Sequence, residues 1–488
     1  RHTGPSILFK YFCMAGYDWI GAETMDSPTE FLMAALRGAA RAYNIERTGV
    51  HHALQWSSSP HDDPKRFMRY RLALYVTWMQ GAHEINTEEG LWHMEECFCS
   101  HHRFSHAAKE HLKMQQDFSR YVATHQRRGY LRTKVGVLHG RYDGYPCFSH
   151  IVWGQSKSRF NPDFDAELSW QIPKLSFFPI DDKSWTTFKH FSHGEPFGLV
   201  SGNPRGNLDI VPVEKPIGNY GLLAFFAYNK AEKTDLDAIL KAVRNGAELM
   251  LSLAHLTDTT NREDLENYRL HFCEHEIFNC LGFDSLPEFK NDSFNGISLP
   301  IAENLKAEDS EIIVKTDSGR ALLIEKKVGH GKIILLNTKL YPANPAVKGL
   351  YTAEFEKRAD AQNNSEYVTP VGEAEIQTAV YELANGDCEA YFIAVDWWNY
   401  PANVRQAKLR VGKNMYSIAL PQGIMKKAYV HGDTVVWADS ESADILFEKD
   451  GKFTVSGKDT EHFHIGYNGK VKTIDVDFTC KAQQIIKF

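Results

Sequence analysis

Hydrophobic and polar positions along the first 145 residues alternate between two rhythms. Short runs at 18–24, 51–57 and 83–92 predict strands. Around them, apolar residues recur at helical spacing. Residues 7–16 predict a helix closed by a C′ glycine. Residues 28–44 predict a second, with Ser27 as N-cap, Pro28 at its first position, and Leu32, Ala35, Leu36 and Ala39 facing a core. A third opens at Asp63-Pro64 and runs to Gln80, with Phe67, Tyr70, Leu74 and Trp78 along one side. A fourth covers 103–124, and 134–139 reads as one more strand. The helical stretches have about the length that a crossover between parallel strands requires.

Beyond residue 145 the rhythm changes twice. Residues 146–195 are rich in aromatics and prolines and predict a functional connection, a lid over the mouth of the first region. Strands are expected at 198–201, 222–227, 247–253 and 332–337, with a helix at 235–244 capped by Thr234 and ended by Asn245-Gly246. That alternation predicts a doubly wound α/β unit. From about 365 the pattern becomes short strands and turns, at 391–395, 407–411, 434–438, 452–455 and 471–478, which predicts a small antiparallel β-sandwich. The expected organisation is therefore 1–145, 146–345 and 346–488.

The ends of the first three strands gather one kind of chemistry. Trp19 and Glu23 lie on the first, Gln55 and Trp56 on the second, and Asn86, Glu88, Glu89 and Trp92 on the third. Carboxylates, amides and indoles at the C-terminal ends of successive parallel strands describe the mouth of a (β/α)8 barrel. Glutamate beside tryptophan suggests a carbohydrate, because carboxylates act on the glycosidic bond and indole faces stack on the ring. Glu23 is the first candidate for a catalytic carboxylate; the competing reading is a structural glutamate that caps or pairs near the mouth. Glu88 and Glu89 are open to three readings: one of them catalytic, one of them sugar-binding, or both in a solvated acidic turn. Adjacent residues on an extended backbone point to opposite sides, so only one should face a substrate. Gln55 and Trp56 are candidates for hydroxyl recognition and a sugar floor, with a buried rim tryptophan as the alternative.

Other clusters carry less. His51 and His52, with His61, His83 and His93 nearby, have no HExxH-type spacing, so no metal is assigned. Ser57-Ser58-Ser59 lacks a GxSxG context. Gly202-Asn203-Pro204-Arg205-Gly206 lacks a nucleotide fingerprint and reads as structural. Trp397-Trp398-Asn399-Tyr400 is open between a sugar contact and a core or interface anchor.

Composition narrows the partners. The chain has 488 residues, with 55 basic and 62 acidic side chains for a net charge of −7, which argues against nucleic acid. No apolar run reaches the roughly 18 residues of a membrane span. Eight cysteines without a CxxC pair predict buried or half-buried thiols, as in a reducing compartment. The opening Arg-His-Thr-Gly-Pro leads into a helix and strand from the middle of a barrel. The expectation is a fragment, or a barrel completed by another segment, since half a barrel leaves strand edges unpaired.

The order of a barrel, a doubly wound domain and a small β-sandwich resembles the glycoside hydrolase family 42 β-galactosidases. Residues 70–92 are similar to that family's seventh helix and eighth strand, with Gly81-Ala82 ending the helix and Glu88 and Glu89 before a glycine-containing loop. Residues 220–256 resemble its trimerisation domain. The family's nucleophile ends strand seven, and here the corresponding run 50–57 offers Gln55 instead. The related family 164 β-mannosidases are the closer match. The resemblance implies the second half of a (β/α)8 TIM barrel, a flavodoxin-like α/β domain and a homotrimer. It implies a retaining exo-β-glycosidase acting on an oligosaccharide or glycoside, with β-mannoside ahead of β-galactoside. In that reading Glu23 attacks the anomeric carbon. The acid/base is expected outside this sequence, and Trp19, Gln55, Trp56, Glu88, Glu89 and Trp92 hold the sugar. No cofactor is implied. The competing class is a non-catalytic carbohydrate-binding or scaffold protein on a decayed barrel.

Overall fold

The computed structural model describes residues 2–4, 6–24, 29–54, 64–88, 106–143, 164–179, 200–215, 217–448 and 451–487. Its first part alternates strand and helix: β1 (His2–Gly4), α1 (Phe9–Met14), β2 (Ile20–Thr24), α2 (Thr29–Tyr43), β3 (Thr48–His52), α3 (Pro64–Met79) and β4 (Glu84–Thr87). The four strands form one sheet in the order β1-β2-β3-β4, every neighbour parallel. The helix ends follow local chemistry. Gly16 sits just past α1 with φ 89°, and Asn44 closes α2 with φ 57°. Both are residues that tolerate the left-handed region. Ser27 and Asp63, expected to open α2 and α3, lie outside the described residues.

Successive side chains of a strand point to opposite faces, so the register sorts the first sheet into two surfaces. Ile20, Ala22, Val50 and His52 are all buried on one face, the first three packed with Phe31 and Leu36 of α2. The other face carries Trp19, Glu23, His51, Asn86 and Glu88 and is only partly covered. Residues 30–40 of α2 are buried all round, as befits a helix wedged between two layers. Its far side meets the second sheet, where a Cβ on Gly38 would lie 1.8 Å from the carbonyl oxygen of Ile210.

The next strands are β5 (Tyr130–Leu131), β6 (Val135–His139), β7 (Leu208–Pro212), β8 (Leu222–Phe225) and β9 (Glu248–Ser252). They are followed by a hairpin of β10 (Phe289–Phe294) and β11 (Ile297–Ala302), then β12 (Ser310–Lys315), β13 (Ala321–Val328) and β14 (Gly331–Leu336). Seven of these form a mixed sheet in the order β12-β13-β14-β9-β8-β6-β7. Its parallel part, β7-β6-β8-β9-β14, has the order 2-1-3-4-5 of a doubly wound sheet. β6, β7 and β8 are buried at every position, as strands covered on both faces must be.

Several expectations are corrected here. The strand at 134–139, grouped with the first region, lies in the second sheet instead, between β8 and the edge strand β7. A fully apolar run reads alike in either place, and only pairing decides. The helix Lys348–Asn364, which the boundary at 345 assigned to the sandwich, packs on β8, where Tyr351 Oη donates to the Phe225 carbonyl at 2.6 Å. No strand forms at 200–201; Ser201 lies in a loop. The helix after β8 spans Lys233–Arg244 with Glu232, not Thr234, at its cap. Most of the segment expected as a lid, 146–163 and 180–195, lies outside the described residues, which include only 164–179 of it. That stretch folds as short helices Asp165–Ser169 and Gln171–Phe177, and Trp170 between them is buried, donating to Asp143 at 3.0 Å.

The short antiparallel strands expected from about 365 are present. A seven-stranded sheet, formed by six of them together with β5, faces a three-stranded sheet across a core that includes Ile376, Phe392, Leu409 and Ile418. β5 is its edge strand, with Leu131 opposite Tyr381. Trp397 is buried beneath the Arg69 guanidinium, the anchor rather than the sugar contact. Gly202 and Gly206 are structural, Gly202 because a Cβ there would meet two backbone carbonyl oxygens at 2.4 Å. Among the described cysteines Cys480 is exposed, against the expectation of burial, while Cys13, Cys273, Cys280 and Cys388 are at least half-buried.

A buried polar chain ties these layers. Asp209 of β7 accepts from Arg37 Nε of α2 at 3.0 Å, and from Thr133 and Tyr220 hydroxyls at 3.0 Å. Burial alone would raise the Asp209 carboxyl, but Arg41 and Arg37 hold it below the usual range. Arg37 Nη1 donates to Gln80 Oε1 at 3.0 Å, and Gln80 Nε2 to Gln377 Oε1 of the C-terminal sheet at 3.0 Å. Gln377 Nε2 then donates to the Ser201 carbonyl at 2.9 Å, and the Ser201 N–H donates to Glu30 at 2.5 Å. Burial pushes the Glu30 carboxyl up to about 8, against the lowering effect of that N–H.

Candidate active site

The partly covered face of the first sheet is built by register. Gly21 pairs with Gly49 and Glu23 with His51, while His51 in turn pairs with Asn86. Two residues after Asn86, Glu88 continues the same face, its N–H donating to the His52 carbonyl at 3.0 Å. Glu23, His51, Asn86 and Glu88 lie toward the C-terminal ends of β2, β3 and β4, while Gly21 and Gly49 stand near the starts of β2 and β3.

The glycines make room for a floor. A Cβ on Gly49 would lie 2.2 Å from the Trp19 ring, and one on Gly21 2.8 Å from it. The indole of Trp19 therefore lies across both glycines, two residues below Glu23 on the same side.

Above that floor three polar side chains converge. One atom each from the Glu23 carboxylate, the His51 ring and the Glu88 carboxylate lie within 4.8 Å of one another. His51 Nε2 is 2.9 Å from Glu88 Oε1, and His51 Nδ1 is 3.0 Å from Asn86 Oδ1. Both ring nitrogens are thus committed to hydrogen bonds, so we read the trio as an acid–base group rather than a cation site. Glu84, lower on the same face, pairs with Arg47 at 3.2 Å.

The neighbouring histidines are structural. His52 points to the opposite, buried face, with Nδ1 2.6 Å from Thr24 Oγ1 and Nε2 3.2 Å from Thr77 Oγ1. Burial, then the nearby His51, lowers its pKa to about 3, so it stays neutral. His83 is used locally, its Nδ1 accepting from the Thr48 N–H at 3.3 Å. Burial first, then Arg127 and Arg47, lowers its pKa.

The structure thus brings together Trp19, Glu23 and Glu88 from the sequence candidates. Gln55, Trp56, Glu89 and Trp92 lie outside the described residues. His51 and its link to Glu88 were missed, because the sequence reading weighed His51 only as a metal ligand. The signal lay in the spacing: His51 stands two residues after Gly49, as Glu23 stands two after Gly21.

No protein-family model matches the chain, and no curated protein does. Solved structures do. The β-galactosidase from Bacillus circulans sp. alkalophilus is 11% identical and aligns over 87% of this chain with a TM-score of 0.51. The β-galactosidase from Rahnella sp. R3 is 10% identical and aligns over 86% with a TM-score of 0.51. This chain spans 61% of the length of each. At such identities the likeness is one of fold, and it covers most of this chain.

Proposed function

We propose that this chain carries the catalytic centre of a retaining exo-β-glycosidase. The observation behind the reading is the approach of the Glu23 and Glu88 carboxylates to within 4.8 Å, at parallel strand ends above a tryptophan. Retaining glycosidases hold their carboxyl groups about 5–5.5 Å apart, and inverting ones about 6.5–9.5 Å. Glu23 attacks the anomeric carbon. Glu88 takes the acid/base role in place of a glutamate outside the sequence. Trp19 stacks on the non-reducing sugar, and Gln55, Trp56, Glu89 and Trp92 are retained from the sequence as candidate sugar-binding residues.

The four-stranded sheet is, in this reading, half of a (β/α)8 barrel, followed by a flavodoxin-like domain and a β-sandwich in a homotrimer. β-Mannoside is favoured over β-galactoside on the family resemblance, and no cofactor is invoked. A second reading rests on β3: its described end, His51-His52-Ala53-Leu54, bears no carboxylate where family 42 enzymes place their nucleophile. That favours a carbohydrate-binding protein without turnover.

Hydrolysis of p-nitrophenyl β-mannoside and β-galactoside separates the two. The glycosidase reading expects release, a first-formed sugar of unchanged anomeric configuration, and loss of turnover in Glu23→Gln without a lower melting temperature. Azide should restore turnover in Glu23→Gly as a glycosyl azide of inverted configuration. Sugar binding with no hydrolysis across the panel would establish the second reading.

A further inference from the structure

We propose that His51 and Glu88 share a single proton, with Asn86 fixing the ring so that this proton lies between His51 Nε2 and Glu88. The inference rests on the glycosidase reading for its catalytic meaning, but the placement of the proton follows from hydrogen-bond donors alone.

An amide oxygen only accepts. Asn86 Oδ1, 3.0 Å from His51 Nδ1, therefore requires a proton on Nδ1. A neutral imidazole has one N–H, and Nδ1 has taken it. Nε2 is then a lone pair, 2.9 Å from Glu88 Oε1. Two acceptors at that distance repel, so a proton must stand between them. Either Glu88 is a carboxylic acid donating to Nε2, or the imidazole is doubly protonated and Glu88 is a carboxylate. The two forms have the same number of protons and the same net charge.

This arrangement suits an acid that must later act as a base. In the first step, a Glu23 oxygen bonds to the anomeric carbon as the bond to the leaving oxygen breaks. Glu88 gives its proton to that oxygen. Glu88 is then a carboxylate facing the bare Nε2 lone pair, an unfavourable contact in a half-buried site. Relief comes by taking a proton back. In the second step Glu88 removes it from water, whose oxygen attacks the anomeric carbon. The ester bond to Glu23 breaks, Glu23 leaves as a carboxylate, and the shared proton is restored. His51 and Asn86 are positioning residues: they act through Glu88 and set its readiness to change roles.

The proposal is tested on the full chain by two measurements. The first is nitrogen NMR of protein labelled with 15N-histidine, with the His51 signals assigned by their absence in His51→Gln. A proton on Nδ1, in a neutral or a doubly protonated ring, is expected, as is a change in the ring signals in Glu88→Gln. A neutral ring protonated on Nε2 with a bare Nδ1 would overturn the proposal, since Asn86 would then be turned with its NH2 toward the ring. This readout needs no turnover, so it judges the proton even where the glycosidase reading fails. The second measurement compares an alkyl glycoside with its p-nitrophenyl counterpart, which needs little acid assistance. In His51→Gln, kcat/KM for the alkyl substrate should fall further than for the nitrophenyl one, by on the order of 10²-fold. Equal losses on both would leave His51 a merely structural residue.

Discussion

Glu30 shows how one residue sets a pH dependence for the fold. Its carboxyl titrates near 8 in the folded chain, against 4.5 for an ordinary glutamate, chiefly because burial penalises the charged form. The folded state therefore holds a proton that the unfolded state has lost between those values. Stability from this residue is fully present below about 4.5 and is lost as pH rises toward 8, by an amount on the order of a few kcal/mol. Denaturant midpoints measured across that window should fall with pH in the wild type and fall less in Glu30→Gln, which keeps an acceptor for the Ser201 N–H but has no proton to lose. At the same scale, Glu23 and Glu88 were legible because acidic residues stood beside small and aromatic ones at strand ends. Their closeness to each other was not. It depends on the register of three strands that pair only in the folded molecule, and so does the contact of His51 with Glu88.

At the scale of elements, periodicity found α1, α2 and α3 because their apolar faces or end residues are plain in the sequence. The helix Lys348–Asn364 escaped notice for a physical reason. Its buried side includes Glu354 and Arg358, which pair with each other and, through Arg358, with Glu248 and Glu325. A helix that buries an ion network has no clean apolar stripe to read. α2 offers a sharper test of packing against propensity. Alanine is worth about 1 kcal/mol more than glycine in a helix interior, so Gly38→Ala should stabilise an isolated α2. In the protein the added methyl meets the Ile210 backbone carbonyl at 1.8 Å, which cannot move aside as a side chain would. Overpacking of this kind costs about 1–3 kcal/mol. The expected result is a lower melting temperature by calorimetry, and an unchanged or higher one would mean that β7 shifts freely against α2.

For the whole molecule, the polar chain from Asp209 to Glu30 is the common fastening of α2, the second sheet and the C-terminal sheet. None of it could be read from local pattern, since Arg37, Gln80, Gln377 and Ser201 lie far apart in sequence. Removing the charge of Asp209 leaves Arg37 buried without its counter-ion, a loss that in buried pairs reaches about 3–5 kcal/mol. Asp209→Asn should therefore lower the denaturation midpoint for the molecule as one unit, with fluorescence and circular dichroism transitions moving together. A transition that split in two, with one half unmoved, would show the layers to be independent.

The edge strand β5 has a consequence for how this chain is made. Arg128, just before β5, reaches Glu389 at 2.7 Å, a contact spanning 261 residues. At roughly 5–20 residues per second of synthesis, the ribosome needs on the order of tens of seconds after delivering β5 before its partner exists. Throughout that interval the exposed Tyr130 and the open rim beside it are available to any passing strand. Birth of this protein therefore includes a waiting period, during which a chaperone would raise the yield, and a stall between residues 131 and 376 would favour aggregation.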